Sequence, residues 1–348
     1  MLSWRRMKRS FGVGFAIVVA ACGSGPSGTG TTGVCPPKTK TADLPGAGGG
    51  AGGIQEVTSF GDNPGALQMF VHAPAGGHAS SVIVAMHGCT QQASDYVSAG
   101  WNDVADKAGA VVVYPQQTSA NDPMHCFTWW DPAKDATSIV SMVSYAKQTY
   151  GAQRAFVTGL SAGAAMTAAV LALHPDVFEA GAIMSGLPYA CATSQIQAYQ
   201  CMNPGKDQTP QAWAALVPAS TRANPPRVAI WHGDADYVVN PTNEVQLVRQ
   251  WTGVASISDT PSATETVGPA THATYKDSSG AVRVESWLIK GMSHGTALAP
   301  SQGCGKAGAY LLDVGICSTE KAADFFFGFS GGGSGGQPGS PQTPGGCP

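Results

Sequence analysis

The sequence predicts an α/β domain with a mostly parallel central sheet, helices on both faces and disulfide bracing. Three observations lead there. Short β-rich runs alternate with stretches of helical composition between residues 54 and 329, and alternation on that scale builds a parallel sheet covered on both sides. Hydrophobic residues make up 43% of the 348 positions, enough for one large core. Eight of the nine cysteines lie beyond position 22, an even number suited to an oxidising compartment.

The elements follow in chain order. Met1–Ser10 carries Arg5, Arg6, Lys8 and Arg9, and Phe11–Ala21 is an apolar run of 11 residues. A cationic start followed by a short apolar stretch is a secretory signal, too short to span a bilayer. It ends Val19-Ala20-Ala21-Cys22, which resembles a bacterial lipobox, so residues 1–21 are expected to be removed and Cys22 acylated. Ordinary cleavage at a small-residue site is the alternative. Residues 22–53 are rich in Gly, Thr and Pro and read as a tether, and residues 330–348 have the same character. Between them, Leu67–His72, Ser81–Met86, Ala110–Tyr114, Ala155–Thr158, Ala180–Met184, Val228–Trp231 and Val282–Ile289 read as strands. Ser94–Ala108, Ala136–Tyr150, Ala162–Leu173, Pro241–Trp251 and Thr319–Phe327 read as helices. Short loops favour the pairs Cys191–Cys201 and Cys304–Cys317, which leaves Cys89–Cys126 and the two outlying residues Cys35 and Cys347.

The pattern Gly-x-Ser-x-Gly occurs four times, around Ser161, Ser293, Ser330 and Ser334, so the motif by itself decides nothing. Ser330 and Ser334 open the Gly-rich tail, and no helix follows Ser293. Ser161 alone has a strand behind it, Arg154-Ala155-Phe156-Val157-Thr158, and a helix of small residues ahead, Ala162 to Leu171. That is the context of a nucleophile elbow in an α/β-hydrolase fold, where small neighbours accommodate a strained serine between packed elements. In such a fold the acid and the histidine follow the serine on later strand-end loops. His294, in Gly291-Met292-Ser293-His294-Gly295, is placed for the imidazole. His272 lies in a polar, Thr-rich stretch and reads as solvated, and His232 as a structural histidine of its own turn. Asp234 and Asp236 share the loop after Val228–Trp231; the apolar run behind Asp236 favours that residue as the acid. Two backbone donors are needed for a developing oxyanion. Ala162 supplies one, and Cys89, in Met86-His87-Gly88-Cys89-Thr90-Gln91, is positioned for the other.

With these segments in place, the chain resembles the poly(3-hydroxybutyrate) depolymerase family of esterases, which also includes acetylxylan and feruloyl esterases. The resemblance rests on Met86 to Gln91, Val112-Val113-Tyr114-Pro115-Gln116, Cys126-Phe127-Thr128-Trp129-Trp130, Thr158 to Gly163, His174-Pro175-Asp176-Val177-Phe178, Gly186-Leu187-Pro188-Tyr189, Trp231 to Asp236, and Gly291 to Gly295. It implies Ser161, Asp236 and His294 as a triad, Cys89 and Ala162 as oxyanion donors, a Cys89–Cys126 bridge, and an open site suited to polymer chains. Two positions depart from the family pattern: Asp234, a second carboxylate beside Asp236, and Ala164, where a second glycine is common.

Trp129, Trp130, Tyr189 and Tyr237 are candidates for an apolar shelf under a polyester chain or an aromatic acyl group; the two tryptophans are equally read as core. The expected partner is a polymeric or small ester, with membrane contact only through the lipid anchor and a monomer as the working state. No cofactor is expected, and without CxxC, HxxxH or HExxH spacings no metal either. The formal net charge is −3; without the four leader cations 15 basic residues face 22 acidic ones. Nothing basic remains to track a phosphate backbone, which excludes a nucleic-acid binder.

Overall fold

The computed structural model describes residues 53–328. The leader, Cys22, the tether with Cys35 and the tail with Cys347 lie outside the described residues. Twelve strands run in chain order through the described residues: β1 (Gln55–Val57), β2 (Gln68–His72), β3 (Ser81–Met86), β4 (Ala110–Gln116), β5 (Arg154–Leu160), β6 (Ala180–Met184), β7 (Arg227–Gly233), β8 (Ala263–Val267), β9 (Ala270–Lys276), β10 (Val282–Ile289), β11 (Thr296–Leu298) and β12 (Leu311–Asp313). The helices are α1 (Ala93–Val97), α2 (Trp101–Ala108), α3 (Ala133–Tyr150), α4 (Ala162–Leu173), α5 (Gln195–Met202), α6 (Pro210–Leu216), α7 (Ala219–Ala223), α8 (Thr242–Val254) and α9 (Ser318–Phe327). No helix among the described residues is long and apolar enough to cross a membrane.

Ten strands form one sheet in the order β1-β2-β4-β3-β5-β6-β7-β10-β9-β8. From β4 to β10 every neighbouring pair is parallel; β1 and β2 at one edge, and β9 and β8 at the other, run antiparallel. The α/β-hydrolase architecture follows from this order. Every residue of β3 is buried, as a strand covered on both faces requires. Alternation along the strands separates two cores. Val82, Val84, Val113 and Val157 pack on the side of α3, α4 and α8, whereas Ile83, Val112 and Phe156 pack with Trp101 and Phe326 from α2 and α9. Phe156 and Phe326 stack nearly coplanar, with ring centroids 5.0 Å apart. Helix α4 is apolar around its whole circumference, so it must be enclosed, and all of it but Leu173 is buried.

Several boundaries differ from the sequence reading. The single helix expected over Ser94–Ala108 is two, because Gly100 between them takes a left-handed backbone, φ 91° and ψ 13°, that an α-helix cannot continue through. The stretch around His272 is not solvated. It forms the hairpin β8–β9, where His272 stacks on Trp287 at 3.8 Å between centroids and contacts Glu265 and Glu285. Among the described residues, three disulfides join Cys89 to Cys126, Cys191 to Cys201 and Cys304 to Cys317.

Candidate active site

Ser161 stands between the last residue of β5 and the first of α4 with φ 57° and ψ −116°. A non-glycine residue there is strained, and strain of this kind survives only where the surroundings over-determine it. They do. Ser161 N–H donates to Met184 O on β6 at 3.0 Å, and its carbonyl accepts the first helical bond from Ala165 at 2.8 Å. A Cβ on Gly159 would come within 2.4 Å of Gly163, and one on Gly163 within 2.5 Å of His87 O. The two flanking glycines are therefore steric necessities: they let the β5–α4 turn close against the loop after β3.

That loop carries the candidate oxyanion donor. A Cβ on Gly88 would lie 3.4 Å from Ser161 Cβ, so the loop passes directly beside the serine. His87 is fully buried against Phe127, and its Nδ1 lies 2.7 Å from Gly88 O while Gln117 N–H donates to its Nε2 at 3.1 Å. Nε2 therefore accepts and Nδ1 donates. Burial lowers the His87 pKa to about 4, keeping the ring neutral and this tautomer in place. Gln91 N–H also donates to Gly88 O, and the Gln91 side chain accepts from Gly88 N–H at 2.9 Å. With Gly88 O held on one side of its planar peptide, the Cys89 N–H faces the other. Among the described residues neither Cys89 N–H nor Ala162 N–H has an acceptor within the chain. Both are free for a ligand oxygen, Ala162 at the positive end of α4. The disulfide to Cys126 ties this loop to the segment after β4.

The candidate acid and imidazole lie on the loops after the neighbouring strands β7 and β10. His294 Nδ1 lies 2.7 Å from Asp236 Oδ2, and Asp236 Oδ1 accepts from Val238 N–H and Val239 N–H at 2.9 Å each. Burial would push the Asp236 carboxyl up, but its contacts with His232 and His294 outweigh this and hold it well below the usual carboxylate range. It is an anion at any working pH. Asp234 does something else: its carboxylate turns to the surface and accepts from Gly291 N–H at 2.6 Å, pinning the loop that presents His294. Ser161 Oγ and His294 Nε2 make no hydrogen bond to each other here; such contacts often tighten only once substrate is bound.

Of the four aromatic candidates, Trp129 is buried and meets Trp130 edge to face at 5.7 Å, so it belongs to the core rather than to an open shelf. Trp130 and Tyr189 are half-buried and pack on the same core, with the Tyr189 backbone clasped by the Gln250 side chain. Tyr237, next to Asp236, is 77% exposed. Two residues escape sequence reasoning. Ser185, just after β6, is fully buried with φ 50°, and its hydroxyl donates to Gly295 O at 3.1 Å and accepts from Gly295 N–H at 3.4 Å, fixing the backbone behind His294. Tyr310 sets its ring edge-on to His294 at 6.0 Å. A signal for Ser185 exists in its place at the carboxyl end of a central strand, where ligands of open α/β sheets gather.

Residues 67–271 match the family described as esterase PHB depolymerase. This chain belongs to that family. Poly(3-hydroxyalkanoate) depolymerase C of Paucimonas lemoignei is 43% identical over 288 residues, covering 78% of this chain and 70% of the relative. Feruloyl esterase B of Talaromyces funiculosus is 36% identical over 266 residues, covering 70% and 73%. Among solved structures, an acetyl xylan esterase from Aspergillus awamori superposes with a TM-score of 0.62 at 27% identity, covering 69% of this chain and 93% of that one. As a member of this family the chain is a serine carboxylic-ester hydrolase.

Proposed function

We propose that Ser161 is the nucleophile, His294 the general base and acid, Asp236 the group that orients and stabilises the imidazolium, and Cys89 and Ala162 N–H the oxyanion donors. The observation that carries this reading is the 2.7 Å contact of His294 with the Asp236 carboxylate, on the loops after β7 and β10, in the same sheet as a strained serine that follows β5 at a helix N-terminus. In the first half-reaction Ser161 Oγ bonds to the ester carbonyl carbon while its proton passes to His294 Nε2. The resulting oxyanion is held by Cys89 N–H and Ala162 N–H. Its collapse breaks the bond to the alkoxy oxygen, which leaves as an alcohol with the proton from His294. Water then repeats the sequence on the acyl-enzyme and returns the free acid and Ser161.

The substrate we infer is a polyester of short hydroxyacids, of the poly(3-hydroxybutyrate) type. Its support is the greater identity to a polyhydroxyalkanoate depolymerase, 43% against 36% for a feruloyl esterase, together with exposed Met124, Tyr237 and Tyr310 on the loops that carry Cys126, Asp236 and the neighbour of His294. Acetyl or feruloyl groups of plant polysaccharide are the second reading, favoured by the other relatives. The catalytic domain is taken as residues 54–329, exported behind the leader 1–21 and tethered through Cys22; three disulfides suit that destination.

A side-by-side assay on poly(3-hydroxybutyrate) film, acetylated xylan and methyl ferulate tests the substrate, with fastest release expected from the film. Preference for either of the others sinks the polyester reading. In parallel, Ser161→Ala should leave p-nitrophenyl butyrate turnover about 10⁶-fold below the parent, the loss typical of a removed triad serine. Turnover within tenfold of the parent would refute the nucleophile.

A further inference from the structure

Two imidazoles face the Asp236 carboxylate. His294 Nδ1 stands 2.7 Å from Oδ2, and His232 Nε2 stands 3.3 Å from the same oxygen, with the Asp236 and His232 side chains wholly buried. His232 occupies the next-to-last position of β7, and its Nε2 also lies 2.9 Å from Val239 O. A carbonyl oxygen can only accept, so Nε2 carries a hydrogen and points it between Val239 O and the carboxylate. The other nitrogen, Nδ1, is buried with no hydrogen-bond partner. Leaving a buried polar atom unpartnered is costly. A ring held in that orientation is oriented by what its Nε2–H grips.

The grip closes a small circuit. Val239 gives its N–H to Asp236 Oδ1 and takes the His232 Nε2–H at its carbonyl, while Val238 N–H holds Oδ1 as well. The carboxylate cannot rotate about its stem without breaking several of these bonds. We propose that His232 is a positioning residue for ester hydrolysis: its Nε2–H braces Asp236 so that Oδ2 stays in line with His294 and its charge is divided between two rings. This rests on the reading of Asp236 and His294 as acid and base. Other ionisable groups around the brace are few. Glu244 of α8 is buried close to His232, its carboxyl pushed up by burial, against which a contact with Ser286 and the nearby His232 act. Tyr275 of β9 lies near Glu244, and Asp234 on the same loop is turned out to Gly291.

Three replacements test it: His232→Gln, whose amide nitrogen falls near the Nε2 position; His232→Asn, whose amide falls near Nδ1; and His232→Leu, which has no donor. We expect Leu and Asn to lower kcat about tenfold, the worth of one hydrogen bond to a charged group, with KM unchanged. The acid limb of the rate profile should move to higher pH in both, because Oδ2, relieved of its second donor, holds the proton on His294 more tightly. Gln should restore rate and limb together. Should Leu fail to fold, the contrast between Asn and Gln carries the test. Parental rates and limbs in all variants would overturn the proposal. So would equal losses in Gln and Asn that track the fall in Tm with the limb unmoved, since that is a packing defect. Asp236→Asn with parental activity would instead overturn the acid assignment, a failure separate from these.

Discussion

On the side of the site built from β3, β5 and α4, backbone lies against backbone: a methyl group on Gly163 would fall 2.5 Å from His87 O, and one on Gly159 2.4 Å from Gly163. On the side built from β7 and β10, side chains span the gap: Asp236 to His294, His232 to Asp236, Asp234 to Gly291 and Ser185 to Gly295. Each side contains the same Gly-x-Ser-x-Gly pattern. Ser161, on the packed side, is forced to φ 57°, whereas Ser293, on the bridged side, keeps an ordinary backbone. The difference teaches that the pentapeptide is compatible with two unrelated settings, and that only close packing on both flanks turns its serine outward. It also implies that the packed side is sensitive to volume and the bridged side to charge.

Between the two sides, the larger effect on rate should come from removing charge on the bridged side. Asp236→Asn should lower kcat by roughly 10³–10⁴, the scale seen when a triad carboxylate is neutralised. Asp234→Asn, which can still accept from Gly291 N–H, should stay within about tenfold of the parent, since its bond is a neutral-capable turn contact. A reversal of the two in steady-state kinetics would exchange their roles. Next, Gly163→Ala should destabilise the protein by about 1–3 kcal/mol through overpacking against the loop after β3, with activity falling too. Gly291→Ala meets open space and only the strain of φ 72°, so it should cost about 1 kcal/mol. Chemical denaturation that ranks Gly291→Ala as the worse of the two would break the packed-versus-bridged contrast.

A last test is a titration on the packed side. His87 has a pKa lowered to about 4 in the folded protein, chiefly by burial, against about 6.5 when unfolded. The unfolded chain therefore binds more protons in that window. Its contribution to stability is complete above about pH 6.5 and is lost as pH falls toward 4, at no more than about 1.4 kcal/mol per pH unit. His87→Gln should flatten that slope. His174, also lowered by burial, adds to the slope in the same sense, whereas the Glu244 carboxyl, pushed up by burial, acts against it. A slope unchanged by the substitution, followed by urea unfolding between pH 7.5 and 4.5, would show that His87 does not titrate with unfolding.

Much of this is legible in the sequence for physical reasons. The parallel strands announce themselves because strands buried on both faces are continuous apolar runs, as in Ser81–Met86 and Ala110–Tyr114. Ser161 is legible because a strand behind it and small residues ahead leave a single conformation for the turn. The hairpin β8–β9 is not, since its Thr-rich alternation leaves β8 largely exposed and resembles a loop. Helices α5 and α6 are likewise hidden: they begin at the capping side chains of Ser194 and Thr209 rather than in a periodic apolar stripe. The roles of Ser185 and His232 depend on tertiary contacts. Ser185 reaches Gly295 across 110 positions, and no local pattern encodes that pairing.

The strand order carries a consequence for how activity arises. The loop with Cys89 leaves β3, Ser161 follows β5, Asp236 follows β7 and His294 follows β10, while β6 fills the one place left between them. The span from Cys89 to His294 thus encloses most of the sheet, and nearly every loop along it must close before the last group arrives. Contacts of such long sequence separation are late and slow to form. A nascent or partly folded chain, ending anywhere before His294, would hold a serine at its elbow and no base to activate it. On the proposed assignment, hydrolytic competence then arises only at the end of folding, once His294 is in place.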